Sequence, residues 1–127
     1  MTQFAYLTPE FPDLADPARR AEAAVLTDPR GGCFYARLTL EVALTWLYRR
    51  EPQLKKPYDP SLAALIAEPS LTALLGPAIV LKARFVKDTG NRAVHDLRPV
   101  SEGTAIAALK ELHHISYWLA RTYAKGA

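Results

Sequence analysis

Four polar side chains in the second half of the chain recur at a spacing that places them on one side of a helix. These side chains, at intervals of three and four residues, are Arg84, Lys87, Asn91 and His95. Residues at such intervals lie one above another on a helical surface. Two cations, an amide and an imidazole in one row could bind an anion such as phosphate, and the imidazole could transfer a proton. The alternatives are a solvent-exposed face and an intramolecular hydrogen-bond network.

Gly90 lies on the neighbouring, apolar side of the same predicted helix. That side consists of Ile79, Ala83, Val86, Gly90, Ala93, Val94 and Leu97. A glycine inside a helix costs about 1 kcal/mol relative to alanine, so we expect a compensating gain from the close approach of a second helix. Gly90 is therefore predicted as a position of close helix packing.

A charged pair interrupts the mostly hydrophobic stretch CFYARLTLEVALTWLY, residues 33–48. Arg37 and Glu41 are four residues apart, and charges within such a stretch are expected to be partly buried. Because buried charges need partners, we expect Glu41 to face the row of polar side chains across a helix–helix contact, at His95, Lys87 or Arg84. The predicted polar cluster, binding or structural, is Arg37, Glu41, Arg84, Lys87, Asn91 and His95.

Helices must position these residues, and the sequence marks several helix starts. Asp16-Pro17, Asp28-Pro29 and Asp59-Pro60 each combine an N-cap acceptor with proline at the first helical position. No stretch alternates polar and apolar residues as a half-buried strand does. Helices are predicted at 13–26, 29–50, 60–67, 77–96 and 101–124, with a short turn around 70–75 and a stop at Gly126. The fold class is all-α, a bundle of about five helices with three long ones forming the core.

Apolar stripes indicate the buried faces of the long helices. In the second helix the four-residue series is Phe34, Leu38, Val42 and Trp46, widened by Cys33, Leu40, Leu44 and Leu47. In the last helix the stripe is Ala105, Leu109, Leu112, Ile115, Leu119 and Tyr123. Both helices are apolar around more than half of their circumference, which is typical of central bundle members or of a dimer interface.

Composition excludes several classes of protein and site. A chain of 127 residues forms one domain, and its net charge of +3 permits a polyanionic partner without indicating one. The lone Cys33 excludes an internal disulfide and any multi-cysteine zinc site. His113 and His114 are adjacent, so on a helix their side chains diverge by about 100° and chelate a metal poorly. We expect no cofactor, no metal and no membrane span, and a cytoplasmic location.

Three segments together resemble the N-terminal domain of type I restriction enzyme R subunits and related superfamily-2 helicases. They are DPRGGCFYARLTLEVALTWLY (28–48), ARFVKDTGNRAVHDLRPVS (83–101) and ALKELHHISYWLARTY (108–123). The likeness extends from about Glu10 to Tyr123 and is most specific at Arg37 with Glu41, at Gly90-Asn91 with His95, and at residues 117–119. That domain is similar in turn to the HEPN superfamily, helical bundles that often dimerise and that in many members cut RNA.

The resemblance also contains a departure. Active HEPN ribonucleases carry an arginine, often followed by asparagine, and then a histidine after four to six intervening residues; here Gly90 stands in the place of that arginine. The resemblance therefore implies a non-catalytic accessory domain of an R subunit, which mediates protein association or positions nucleic acid. Two alternatives remain: a ribonuclease with His95 as acid and base, and a purely structural homodimer. The expected partners are a second copy, other domains or subunits of a restriction complex, or nucleic acid.

Overall fold

Helices account for every regular element of this computed structural model, which describes residues 2–125. A 3-10 helix at Ala5–Leu7 precedes α1 (Pro12–Ala24), α2 (Pro29–Arg50), α3 (Leu62–Ala67), α4 (Pro69–Leu75), α5 (Pro77–His95) and α6 (Glu102–Tyr123). The all-α prediction is confirmed for this range, and the bounds of α2 are those predicted. The predicted stop at Gly126 lies outside the described residues.

The predicted helix starts differ in outcome because local caps compete. Asp28 caps α2 as predicted and accepts a hydrogen bond from the Gly31 amide at 3.1 Å. At Asp59 the prediction is two residues early: its carboxylate accepts from the Ser61 amide at 2.9 Å, and the Ser61 hydroxyl caps α3. Asp16-Pro17 does not start a helix, because α1 begins after the buried Phe11, one residue before the predicted bound at 13, and Pro17 lies inside it.

Residues 70–75 form the short helix α4 and not the predicted turn. The Glu68 carboxylate caps it by accepting from the Ser70 amide at 2.6 Å, and Leu71 and Leu75, four residues apart, are both buried. Gly76, with φ of 88°, ends α4 and turns the chain into α5, a conformation that favours glycine. Among residues 2–125 no single helix is long and apolar enough to cross a membrane; α4 and α5 meet that test only when taken together across their bend of 116°.

α2 is the central helix of the bundle and packs against α1, α5 and α6. Its buried positions include Cys33, Ala36, Leu40, Ala43, Leu44 and Leu47. The four-residue series predicted as its buried stripe lies at the margin, and Phe34 is 42% exposed. Small residues decide this difference, because Ala36 and Ala43 allow neighbouring helices to approach closely while the larger side chains remain at the edges. The stripe predicted for α6 is largely buried, with Leu112 fully so.

Candidate functional site

The contact between α2 and α5 is built around the missing side chain of Gly90. A Cβ atom placed on Gly90 would lie 2.8 Å from Cδ of Arg37 and closer still to its Cβ. Carbon atoms do not approach so closely without displacement, so position 90 accepts only glycine in this geometry. The aliphatic part of the Arg37 side chain thus occupies the space that any other residue at position 90 would fill.

The guanidinium group of Arg37 is fixed by two partners on different helices. Its Nε donates to Oδ1 of Asn91 at 2.8 Å, and its Nη1 lies 3.2 Å from Oε2 of Glu41. The Arg37 side chain is 29% exposed and that of Glu41 48% exposed. The structure therefore brings together three members of the predicted cluster, Arg37, Glu41 and Asn91, at the seam between α2 and α5.

The other three members of the predicted cluster lie apart from this group. Lys87 pairs with the adjacent Asp88 at 3.1 Å, while Arg84 and His95 are exposed and make no hydrogen bond or ion pair within residues 2–125. Glu41 pairs with Arg37 on its own helix and does not cross to His95, Lys87 or Arg84 as expected. A partner four residues away on the same helical face is already within reach, so the pair within α2 forms in place of the cross-helix contact.

Three large apolar side chains of α2, α5 and the connection after α5 are exposed, although the predicted apolar faces include all three. Phe34, Val94 and Leu97 are 42%, 54% and 100% exposed. α2 and α5 run antiparallel here, because Arg30 contacts the carbonyls of Ala93 and Asp96 while Arg37 contacts Asn91. Phe34 lies between the two arginines along α2, and Val94 lies along the chain between the residues that they contact. We call Phe34, Glu41, Val94, His95 and Leu97 the α2–α5 edge.

A second feature at the end of α5 was missed altogether. Thr89, Arg92, Asp96, Arg98, Ser101 and Thr104 are among the residues that line a cavity of about 260 Å³ between the end of α5 and the start of α6, the α5–α6 pocket. From the first turn of α2, Arg30 donates to the carbonyls of Ala93, Asp96 and Arg98, the last two at 2.8 and 2.6 Å. Hydrogen bonds from Arg98 to Asp96, the shortest 2.7 Å, lower the pKa of that carboxyl to about 2.

The remaining side chains with possible chemistry are accounted for by packing. His113 packs edge-on against Phe4 and Tyr6, with ring centroids 5.5 and 5.6 Å apart. Cys33 is fully buried, and burial raises the pKa of its thiol despite the nearby Arg92 and Arg30. Within residues 2–125 no three histidine, cysteine, aspartate or glutamate side chains are grouped as a metal site.

No family model, no curated protein and no solved structure matches this chain. The resemblance to R subunits therefore rests on the three quoted segments.

Proposed function

We propose that this chain is a non-catalytic association domain and that its α2–α5 edge binds a second copy of the chain. The observation that carries this proposal is the exposure of three large apolar side chains, Phe34, Val94 and Leu97, at the α2–α5 edge, where Glu41 is already paired with Arg37. Exposed apolar side chains bordered by polar groups are typical of protein interfaces. An anchored side chain loses little conformational freedom on association, which lowers the cost of burying it.

A second copy is the occupant that the charges favour. The seam carries both signs, because Arg37 lies beside Glu41 on α2. In a two-fold interface the same patch faces itself, so a patch with both signs can place opposite charges across from each other. A surface with charges of only one sign would repel a second copy of itself. The seam has charges of both signs, so this repulsion is not expected.

The ribonuclease alternative requires a cation close to the proton-transferring histidine. Gly90 supplies none, and Arg37 is bound to Asn91 and Glu41. Arg84 precedes His95 by eleven residues, which is about 16 Å along a helix axis. Lys87 is about 12 Å away on the same measure and is paired with Asp88. Arg92 is nearer, but within the described residues no contact orients it towards His95.

The resemblance extends the proposal to the parent protein. We place the domain in a cytoplasmic type I restriction R subunit, where it would join that polypeptide to other domains or subunits or position nucleic acid for an attached motor. The sequence of the chain contains no GxxxxGK[ST] loop, so the motor would belong to another domain.

Sedimentation across a dilution series tests the association directly. We expect a reversible dimer whose dissociation constant rises by about tenfold or more in Val94→Arg, because a charge on the apolar surface must be desolvated in the interface. Leu81→Arg is the matched control, since Leu81 is also an exposed apolar residue of α5, at 62%, but lies outside the edge.

A chain that stays monomeric at every concentration, or equal weakening by both variants, would contradict the proposal. If the chain bound another subunit but not a second copy, the homodimer proposal would also be contradicted. RNA cleavage that is lost in His95→Ala would favour the ribonuclease alternative.

A further inference from the structure

The α5–α6 pocket collects positive charge from three parts of the chain. Arg92 comes from α5 and Arg98 from the connection to α6, and both line the cavity. Arg30 comes from α2 and donates to three backbone carbonyls, so its charge is not paired there with a carboxylate oxygen. Among the lining side chains of the described residues, Asp96 is the one carboxylate. The lining therefore has two arginines and one aspartate, and Arg30 adds a further positive charge beside it.

Several hydrogen-bond donors in the pocket are unused. The side chain of Arg92 is exposed and makes no hydrogen bond or ion pair within residues 2–125. Arg98 binds Asp96 through Nε and Nη2, which leaves its Nη1 without an acceptor in that contact. The Thr104 hydroxyl accepts a hydrogen bond from Ser101 at 2.9 Å, so its own proton can be donated. The side-chain donors of this cavity therefore match an acceptor-rich ligand.

The volume of the pocket restricts the size of the ligand that it can hold. Cavities that hold whole small molecules usually measure about 300–1,000 Å³, and this one measures about 260 Å³. It admits a compact tetrahedral oxyanion or the terminal phosphate of a longer ligand, but not an entire nucleotide. Guanidinium groups bind phosphate oxygens in paired, charge-assisted hydrogen bonds, which fits the arginine lining.

We propose that the α5–α6 pocket binds a phosphate group, with Arg92 as its principal ligand and Arg98 and Thr104 as further donors. Asp96 remains between Arg98 and Arg30 and limits the affinity, because it repels the incoming anion. This site lies beyond the association proposed above and does not depend on it, since none of its ligands belongs to the α2–α5 edge.

A titration of the full chain with inorganic phosphate tests the site. Binding is measured by calorimetry and by the shifts of the amide resonances of Ser101, Gly103 and Thr104. We expect saturable binding that is weakened about tenfold by Arg92→Gln, the effect of losing one charge-assisted hydrogen bond. Arg84→Gln is the matched control: it removes the same charge from an exposed arginine of the same helix. We expect its affinity to stay close to that of the unaltered chain.

Two oligonucleotides distinguish the sources of the phosphate. A preference for a 5′-phosphorylated over a 5′-hydroxyl strand that disappears in Arg92→Gln would assign the site to nucleic-acid ends. Arg92-dependent binding of inorganic phosphate without that preference would assign it to the free anion. Absence of saturable binding to every probe, or equal weakening by Arg92→Gln and Arg84→Gln, would overturn the proposal. Thermal unfolding of both variants confirms that they fold.

Discussion

On one side of α5, Arg37 lies across Gly90 with its guanidinium bound to Asn91 and Glu41. On the other side, Arg92 and Arg98 line a cavity of about 260 Å³. Gly90 and Arg92 are two residues apart on the same helix, yet Arg37 links α2 to α5 on the first side while Arg92 remains available for a ligand on the second. What differs is whether the donors of each guanidinium already have acceptors within the fold.

Arg30 connects the two sides and shows the same principle. Its guanidinium is as charged as that of Arg92, but its hydrogen bonds go to the backbone carbonyls of Ala93, Asp96 and Arg98. It therefore fixes the chain that forms the pocket and still contributes charge to it. The type of residue predicts what an arginine can bind, and the surrounding acceptors determine what it does bind.

The largest expected effect comes from placing a methyl group in the contact between α2 and α5. We expect Gly90→Ala to lower the free energy of unfolding by about 2 kcal/mol, since overpacking outweighs the better helix propensity of alanine. The colliding atoms include Cβ of Arg37, which no rotamer change can move away. Denaturant unfolding measures the change.

Gly103→Ala provides the control for that substitution. A Cβ there would lie 3.9 Å from the Ser101 hydroxyl oxygen, an ordinary contact. The stability should stay the same or rise by up to about 1 kcal/mol. A loss in Gly103→Ala equal to that in Gly90→Ala would show that close packing is not the reason for glycine at position 90.

An intermediate effect is expected for the arginine that holds the pocket. Arg30→Lys should lower the free energy of unfolding by about 1 kcal/mol, because an ammonium group lacks the planar donors that reach several carbonyls. Arg92→Lys, with no contact to lose within the described residues, should change it by less than about 0.5 kcal/mol. Equal losses in chemical denaturation would erase the distinction between fixed and free arginines.

The smallest effect concerns acid stability. The pKa of Asp96 is lowered from 3.8 to about 2, chiefly by hydrogen bonds from Arg98. A lowered pKa contributes stability that is complete above pH 3.8 and is lost as pH falls towards 2. The stability difference between the unaltered chain and Asp96→Asn should therefore shrink over that interval in pH-dependent unfolding. Parallel curves would mean that the Asp96–Arg98 pair does not affect folding.

Much of the fold follows from local chemistry that the sequence displays. The cap of α2 at Asp28 and its proline at position 29 fix that helix at the predicted residue. Where several caps compete, as around Asp59 and Ser61, sequence alone does not rank them. Which apolar face is buried depends on the neighbours that cover it: Leu40, Leu44 and Leu47 are buried as predicted, while the series through Phe34 lies at the margin.

The two candidate sites differ in how much of each can be predicted from the sequence. Gly90 among apolar residues and a charged pair in a hydrophobic stretch both indicated a contact, and Arg37 does meet Asn91 across the helices. No pattern in the sequence predicted the α5–α6 pocket. Arg30 and Arg98 are 68 residues apart in the chain, and no periodicity connects a helix start to a loop. Only the packed bundle brings their charges together.

The central position of α2 has a consequence for how the domain opens. Its buried positions contact three other helices, so its detachment would expose the packed faces of all three. Local opening is confined to elements with fewer neighbours, and loss of α2 amounts to loss of the native state. Phe34 of the edge lies on this helix, and so does Arg30, which binds the backbone beside the pocket; these two anchors are lost only when the domain unfolds.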